Sequence, residues 1–271
     1  MLSAVGVPHL IDFDGHEWCL WVDSNDVPAA NLELDRYDRE NRRAQPVRRA
    51  AVVVDSGWVG VLGYLLVIWA LPSLEGSHAF GWRWREAGVM DAALVQAGEW
   101  WRTVTALTLH GDLAHLIGNS LFGAVFGLFV GRYLGSGVGW LLVLLAGAAG
   151  NGLNALLQPD GFRSVGASTA TFAALSVVGA FVWRRGYLRT WGWRRRLAPV
   201  FGGIALLAFT GFGGENTDVM AHLLGFAFGL LFGTVAGSFA PCRSRAVQRS
   251  AGALALALIA YAWLRAGTAP L

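Results

Sequence analysis

VMAHLLGFAFGLLFGTVAGSF, residues 219–239, carries no Asp, Glu, Lys or Arg. Its length is that of a membrane-spanning helix, roughly 20 residues. Ala221, Gly225, Gly229 and Gly233 recur every fourth position. Such a stripe of small residues lets a second helix approach closely. His222 is the one ionisable side chain in the run, and burying it in a bilayer is costly unless it has a task.

Composition extends this reading to the rest of the chain. Of 271 residues 55% are hydrophobic and 14% charged, with mean hydropathy +0.47. A soluble domain would carry about a quarter charged residues, so the fold class is all-α, a polytopic membrane helical bundle. Seven spans are predicted, near 52–71, 113–134, 138–157, 165–183, 197–212, 219–239 and 250–264. They divide the chain into an N-terminal segment (1–50), a six-span core (51–240) and a seventh span (241–271). Residues 1–50 are polar and predict no cleavable signal; the first span then serves as its own.

All 21 basic residues are Arg. With the N-terminus inside, sixteen fall on the cytoplasmic side: six before span one, Arg132, six between spans four and five, and Arg243, Arg245 and Arg249. The positive-inside rule therefore predicts a cytoplasmic N-terminus and an outer C-terminus. The cluster at 184–196 suits anionic lipid headgroups, and nothing indicates nucleic acid. The loop 72–110, with Trp82, Trp84, Trp100 and Trp101, is then extracytoplasmic and suited to the membrane interface. In the N-terminal segment Phe13 and 18–22 predict a short strand or an interfacial patch, and 31–49 a flexible or helical lead-in. Cys19 and Cys242 offer no disulfide framework. His9, His16 and Cys19 lack a fourth ligand at suitable spacing, so no metal is expected.

This orientation brings the polar groups of three spans to one level. Ser168 stands near the outer end of span four, in Gly166-Ala167-Ser168-Thr169-Ala170. His222 enters span six from the same side. Span two begins there too, with His110, His115 and Asn119. A Ser beside a neutral His is the minimum for nucleophilic catalysis. Asn119, His115 and the Ser168 backbone N–H are candidate donors to an oxyanion. Asp218, one turn outward of His222, reads equally well as a helix N-cap. Singly, each residue has a simpler explanation: Ser168, His222 and Asn119 as interhelical ties, His110 as an anchor of span two, and Gly225, Gly229 and Gly233 as packing residues. One shared depth and side is what separate structural roles do not require. Ala170 and Ala174 are expected to form the small face that receives the glycines of span six.

The pattern resembles the rhomboid intramembrane serine proteases. The pieces are Glu99-Trp100-Trp101-Arg102, His110-x4-His115-x3-Asn119, Gly166-x-Ser168 and Ala221-His222-x2-Gly225-x3-Gly229, in order over about residues 95–235. A seventh span resembles the six-plus-one subclass. The resemblance implies Ser168 as nucleophile, His222 as base, His115 and Asn119 at the oxyanion hole, and Phe172 packed on the base. It implies that Trp101 and Arg102 fix the outer loop. Substrates would be transmembrane proteins in the bilayer, with a small residue before the cleaved bond, and no cofactor is implied. Thr169 departs from the family, which usually has Gly there; a β-branched residue is stiffer and bulkier beside the oxyanion amide. The competing expectations are a non-catalytic relative that binds membrane clients, favoured by Thr169, and a solute transporter. The latter predicts inverted repeats, and the sequence shows none. Compact loops and arginine-only usage suggest a bacterial plasma membrane.

Overall fold

The computed structural model describes residues 1–41, 50–188, 193–196, 201–202, 205 and 218–269. The chain forms two compact units, Met1–Val47 and Arg48–Leu271.

In the first unit β1 (His9–Phe13) and β2 (Trp18–Val22) pair antiparallel, with Phe13 opposite Trp18. Helix α1 (Val27–Asn41) follows, and Leu2, Val7 and Ala30 bury a small core with Val22 against them. The aromatic patch is thus a strand, and the charged lead-in is helical as far as Asn41. This hairpin and the short pair described below are the departures from an all-α chain. His9 Nδ1 lies 2.9 Å from the Val7 carbonyl. Cys19 gathers instead with the exposed Asp14 and Glu17, so the His9–His16–Cys19 grouping does not form.

The second unit is a helical bundle. Among the described residues its helices are α2 (Trp58–Gly76), α3 (Trp84–Gly88), α4 (Ala92–Gln96), α5 (Arg102–Thr105), α6 (Leu113–Leu134), α7 (Ser136–Leu157), α8 (Ser168–Arg184), α9 (Trp193–Arg196), α10 (Val219–Gly237) and α11 (Arg245–Thr268). Among the described residues, five (α2, α6, α7, α10 and α11) are long and apolar enough to cross a membrane, and α8 is a shorter apolar helix. The chain is a multi-pass integral membrane protein. The predicted span 197–212 lies outside the described residues apart from 201, 202 and 205.

Span one starts later than predicted and runs through Pro72. The reason is Asp55. Its Oδ1 accepts from the Gly57 N–H at 2.6 Å and its Oδ2 from the Ser136 N–H at 2.7 Å. The stretch before α2 is thereby held extended against the α6–α7 turn. Gly57, at φ +83°, then turns the chain into α2 with its Cα against Gly131. A left-handed residue packed this closely has to be Gly.

Helix α8 is the centre of the bundle; Thr169 through Phe181 are all buried. Small side chains make that possible, because α10 lies directly on it. A Cβ on Gly225, Gly229 or Gly233 would overlap the Thr169 carbonyl, the Ser176 hydroxyl or the Val177 carbonyl respectively. The receiving face is therefore Thr169, Ala173, Ser176 and Val177. The expected Ala170–Ala174 face is about 100° further round the helix. Ala170 turns to α7, where a Cβ on Gly147 would stand 3.2 Å from its Cα.

The segment between α2 and α6 is built on short elements. β3 (Met90–Asp91) pairs with β4 (Arg163–Ser164), just before α8. Burial would raise the Asp91 carboxyl, but Arg163 (Nε–Oδ2 2.8 Å) and the Leu94 N–H outweigh it and hold it below its ordinary value.

Candidate active site

Gly166, at φ +142°, ends the β4 strand, and α8 begins two residues later at Ser168. The sequence placed the start of this span at 165; the strand pairing and the left-handed glycine delay it. Ser168 therefore sits in the first helical turn, where backbone N–H groups lack helical acceptors. α10 begins at Val219, capped by Asp218, whose Oδ1 accepts from the Ala221 N–H at 3.0 Å. His222 falls on its first turn. The glycine stripe then draws α10 onto α8, and Ser168 Oγ and His222 Nε2 meet at 2.7 Å.

The His222 ring is 4% exposed, whereas Ser168 is half-buried. Phe172 stacks on the imidazole, centroids 4.7 Å apart and planes 18° from parallel. This fixes the ring plane from one side. Asp218 does not orient the imidazole: besides capping α10, its Oδ2 accepts from Asn154 Nδ2 at 2.6 Å. His222 Nδ1 has no partner among the described residues.

His115 and Asn119 stand on adjacent turns of α6. Asp112 caps that helix by accepting from the His115 N–H at 2.8 Å. A Cβ on Gly166 would lie 2.6 Å from His115 Cε1 and 3.3 Å from Ser168 Oγ. Glycine is thus required at 166 by conformation and by space, and it is the wedge between the half-buried His115 and Ser168. Asn119 is buried, and its Nδ2 has no partner among the described residues. A buried amide donor without an acceptor is costly, and a transient oxyanion is one acceptor that would satisfy it.

His110 lies one step away. Its buried ring is 5.3 Å from that of His115, edge to face, and neither ring nitrogen has a hydrogen-bond partner among the described residues. Trp101 and Arg102 belong to the segment between α2 and α6, Arg102 opening α5. Arg102 is 3% exposed; its Nη1 donates to the Glu86 and Val89 carbonyls at 2.8 and 2.9 Å, and its Nε to Glu99 at 2.5 Å. The buried Trp101 lies under Arg265, at 5.0 Å. Gly225 and Gly229 are packing residues of α10, as described.

Thr169 turns away from the Ser168 hydroxyl. Its Cγ2 would be 3.1 Å from a Cβ on Gly150 and 2.8 Å from one on Gly225. The methyl thus fills a notch left by two glycines, one on α7 and one on α10.

Several supporting residues gave no sequence signal. Tyr64 donates to the Asn119 carbonyl at 2.9 Å, and Trp263 donates to Thr108 Oγ1 at 3.1 Å. Single aromatic residues in apolar runs show no period that would mark them. Asn151 and Asn154 were detectable as polar residues inside a span, and they tie α7 to the Thr103 carbonyl and to Asp218.

Residues 97–239, more than half of the chain, match the family model described as Rhomboid domain. The chain is 29% identical over 171 residues to the "Putative rhomboid protease YdcA" of Bacillus subtilis, covering 63% of this chain and 83% of that one. It is 33% identical over 155 residues to "Rhomboid protease GluP" of the same organism, covering 55% and 29%. It is also 32% identical over 95 residues to "RHOMBOID-like protein 5" of Arabidopsis thaliana, covering 35% and 31%. The chain thus spans most of one relative and under a third of the other two, and by its matched domain it belongs to the rhomboid family.

Proposed function

We propose that the protein is an intramembrane serine protease that cleaves a peptide bond in or next to the transmembrane helix of a membrane-protein substrate. The observation that carries this is the 2.7 Å approach of Ser168 Oγ to His222 Nε2; the buried Asn119 amide, without a partner among the described residues, supports it. In this reading His222 Nε2 takes the Ser168 hydroxyl proton as Oγ attacks the scissile carbonyl carbon. The carbonyl electron pair moves onto oxygen, and Asn119 Nδ2, the Ser168 N–H and the His115 ring donate to the resulting oxyanion. Collapse breaks the C–N bond, and His222 gives its proton to the leaving amine. Water, deprotonated by His222, then hydrolyses the ester and releases Ser168. Phe172 holds the imidazole plane throughout.

A helical substrate keeps its carbonyls bonded and shielded, so it must unwind locally before attack. Gly, Pro or polar residues in its outer half ease this. Ser168 is half-buried rather than enclosed, as attack on such a strand and the entry of water require. The arginine distribution supports a cytoplasmic N-terminus with this site facing outward. The Thr169 methyl is accommodated by Gly150 and Gly225, which supports the protease reading over a non-catalytic client-binding relative.

Cleavage in proteoliposomes tests the proposal. A reporter whose transmembrane helix carries a Gly-Ala pair near its outer end is expected to be cut by the wild type and left intact by Ser168→Ala. Undiminished cutting by Ser168→Ala, or none by the wild type across a panel of such reporters, overturns it.

A further inference from the structure

The C-terminal helix reaches the framework of the site through one buried hydrogen bond. Trp263, on α11, donates its indole N–H to Thr108 Oγ1 at 3.1 Å. The Thr108 hydroxyl donates onward to the Thr105 carbonyl at 2.7 Å. Its proton and one of its two lone pairs are thus assigned, in a place where Trp263 is 6% and Thr108 3% exposed. Thr108 closes the short 3-10 turn Ala106–Thr108.

Both flanks of the Ser168–His222 pair are anchored to that turn. The Ala106 carbonyl accepts from the Gly166 N–H at 2.9 Å, two residues before Ser168. In the other direction the chain passes through Leu109 to His110, whose ring packs on His115. A displacement of the turn moves the Gly166 wedge and the His110–His115 pair together. Ring packing of Trp263 on Trp84, centroids 4.8 Å apart, requires an aromatic; only the bond to Thr108 requires an indole nitrogen.

We propose that Trp263 is a positioning residue for the reaction at Ser168. Through Thr108 it sets the 106–108 turn, and through the turn it keeps Gly166 and His115 in register with the Ser168 hydroxyl. This rests on the protease reading above. Oxyanion donors act over a few tenths of an ångström, and a misplacement of about 1 Å costs up to about a hundredfold in rate. Trp263 is buried and bonds Thr108 rather than Ser168 or His222, so in this account its loss falls on kcat and leaves KM.

The test uses the full chain in detergent, with the rate of labelling by a fluorophosphonate, kcat and KM for the reporter, and the melting temperature. Thr108→Val keeps the volume and removes the hydroxyl. It is expected to lower kcat and the labelling rate by about ten- to hundredfold, with KM within about twofold. Thr108→Ser restores both. Trp263→Phe lowers them by no more than Thr108→Val does, and adding it to Thr108→Val lowers them no further, because both remove one link. Should Thr108→Val fail to fold, Trp263→Phe against Thr108→Ser makes the same comparison. Wild-type rates in Thr108→Val, a loss confined to KM, or single losses that multiply in the double variant overturn the positioning role while the protease reading stands. A wild-type chain that neither labels nor cleaves overturns both.

Discussion

His222 is buried on the first turn of an apolar helix, and the one hydrogen bond of its imidazole among the described residues goes to Ser168. Nothing in bundle packing requires that arrangement, since an apolar side chain would fill the place without burying a polar ring. The pair was legible in the sequence because each residue stood out against its surroundings: a lone ionisable group in one span, and a Gly-x-Ser at the head of another. Gly166 was legible as a glycine but not as a wedge, a role that depends on where His115 arrives from α6. Thr108 and Trp263 were not legible, because hydroxyls and single indoles are common in apolar runs. The proposed role of His222 fixes a pH dependence. It accepts a proton only when neutral, so kcat falls on the acid side as the imidazole is protonated. A pH–rate profile of the purified enzyme checks this. Full activity down to about pH 4, where carboxylates protonate, would remove His222 as the base.

At the scale of elements, the α8–α10 contact creates the site. The four-residue stripe of α10 was plain in the sequence, but its partner face was misassigned from Ala170 and Ala174. Both candidate faces of α8 are small, and composition alone does not tell which one turns toward α10. Span one was displaced for a similar reason: Asp55 and Gly57 organise the turn from a distance, through Ser136 and Gly131. The short α8 reflects the β3–β4 pair, too brief for any alternation to reveal. The contact can be tested without touching a polar residue. Gly229→Val is expected to force α10 off the Ala173 and Ser176 surface, with an overpacking cost of about 1–3 kcal/mol. Reporter cleavage should then fall at least about tenfold, because that separation reaches His222. Cleavage and melting temperature both unchanged would show that the helices do not depend on this close approach.

Across the whole molecule, α11 braces the bundle at two levels. Against Trp84 and Thr108 it supplies Trp263. At the opposite end Gln248 takes up four backbone groups: its Oε1 accepts from the Gly137 and Val138 N–H groups, and its Nε2 donates to the Leu134 and Cys242 carbonyls, each at 2.9 Å. It thereby caps α7 from a distant helix, satisfying donors that a helix start leaves open. Gly135 and Gly137 leave room for it, since a Cβ on either would overlap Gln248. Hydropathy predicted a C-terminal span, which α11 supplies, and said nothing of this clamp. Gln248→Ala is expected to lower the melting temperature by roughly 5 °C, read by thermal unfolding in detergent. An unchanged melting temperature would mean that water replaces the clamp at no cost.

Reaction of the purified protein with a fluorophosphonate, followed by mapping of the adduct by mass spectrometry, tests most directly whether Ser168 and His222 form a working nucleophile and base. One adduct on Ser168 is expected, absent from Ser168→Ala and lost or strongly slowed in His222→Ala. Labelling that persists in Ser168→Ala, or equal labelling with and without His222, would contradict it.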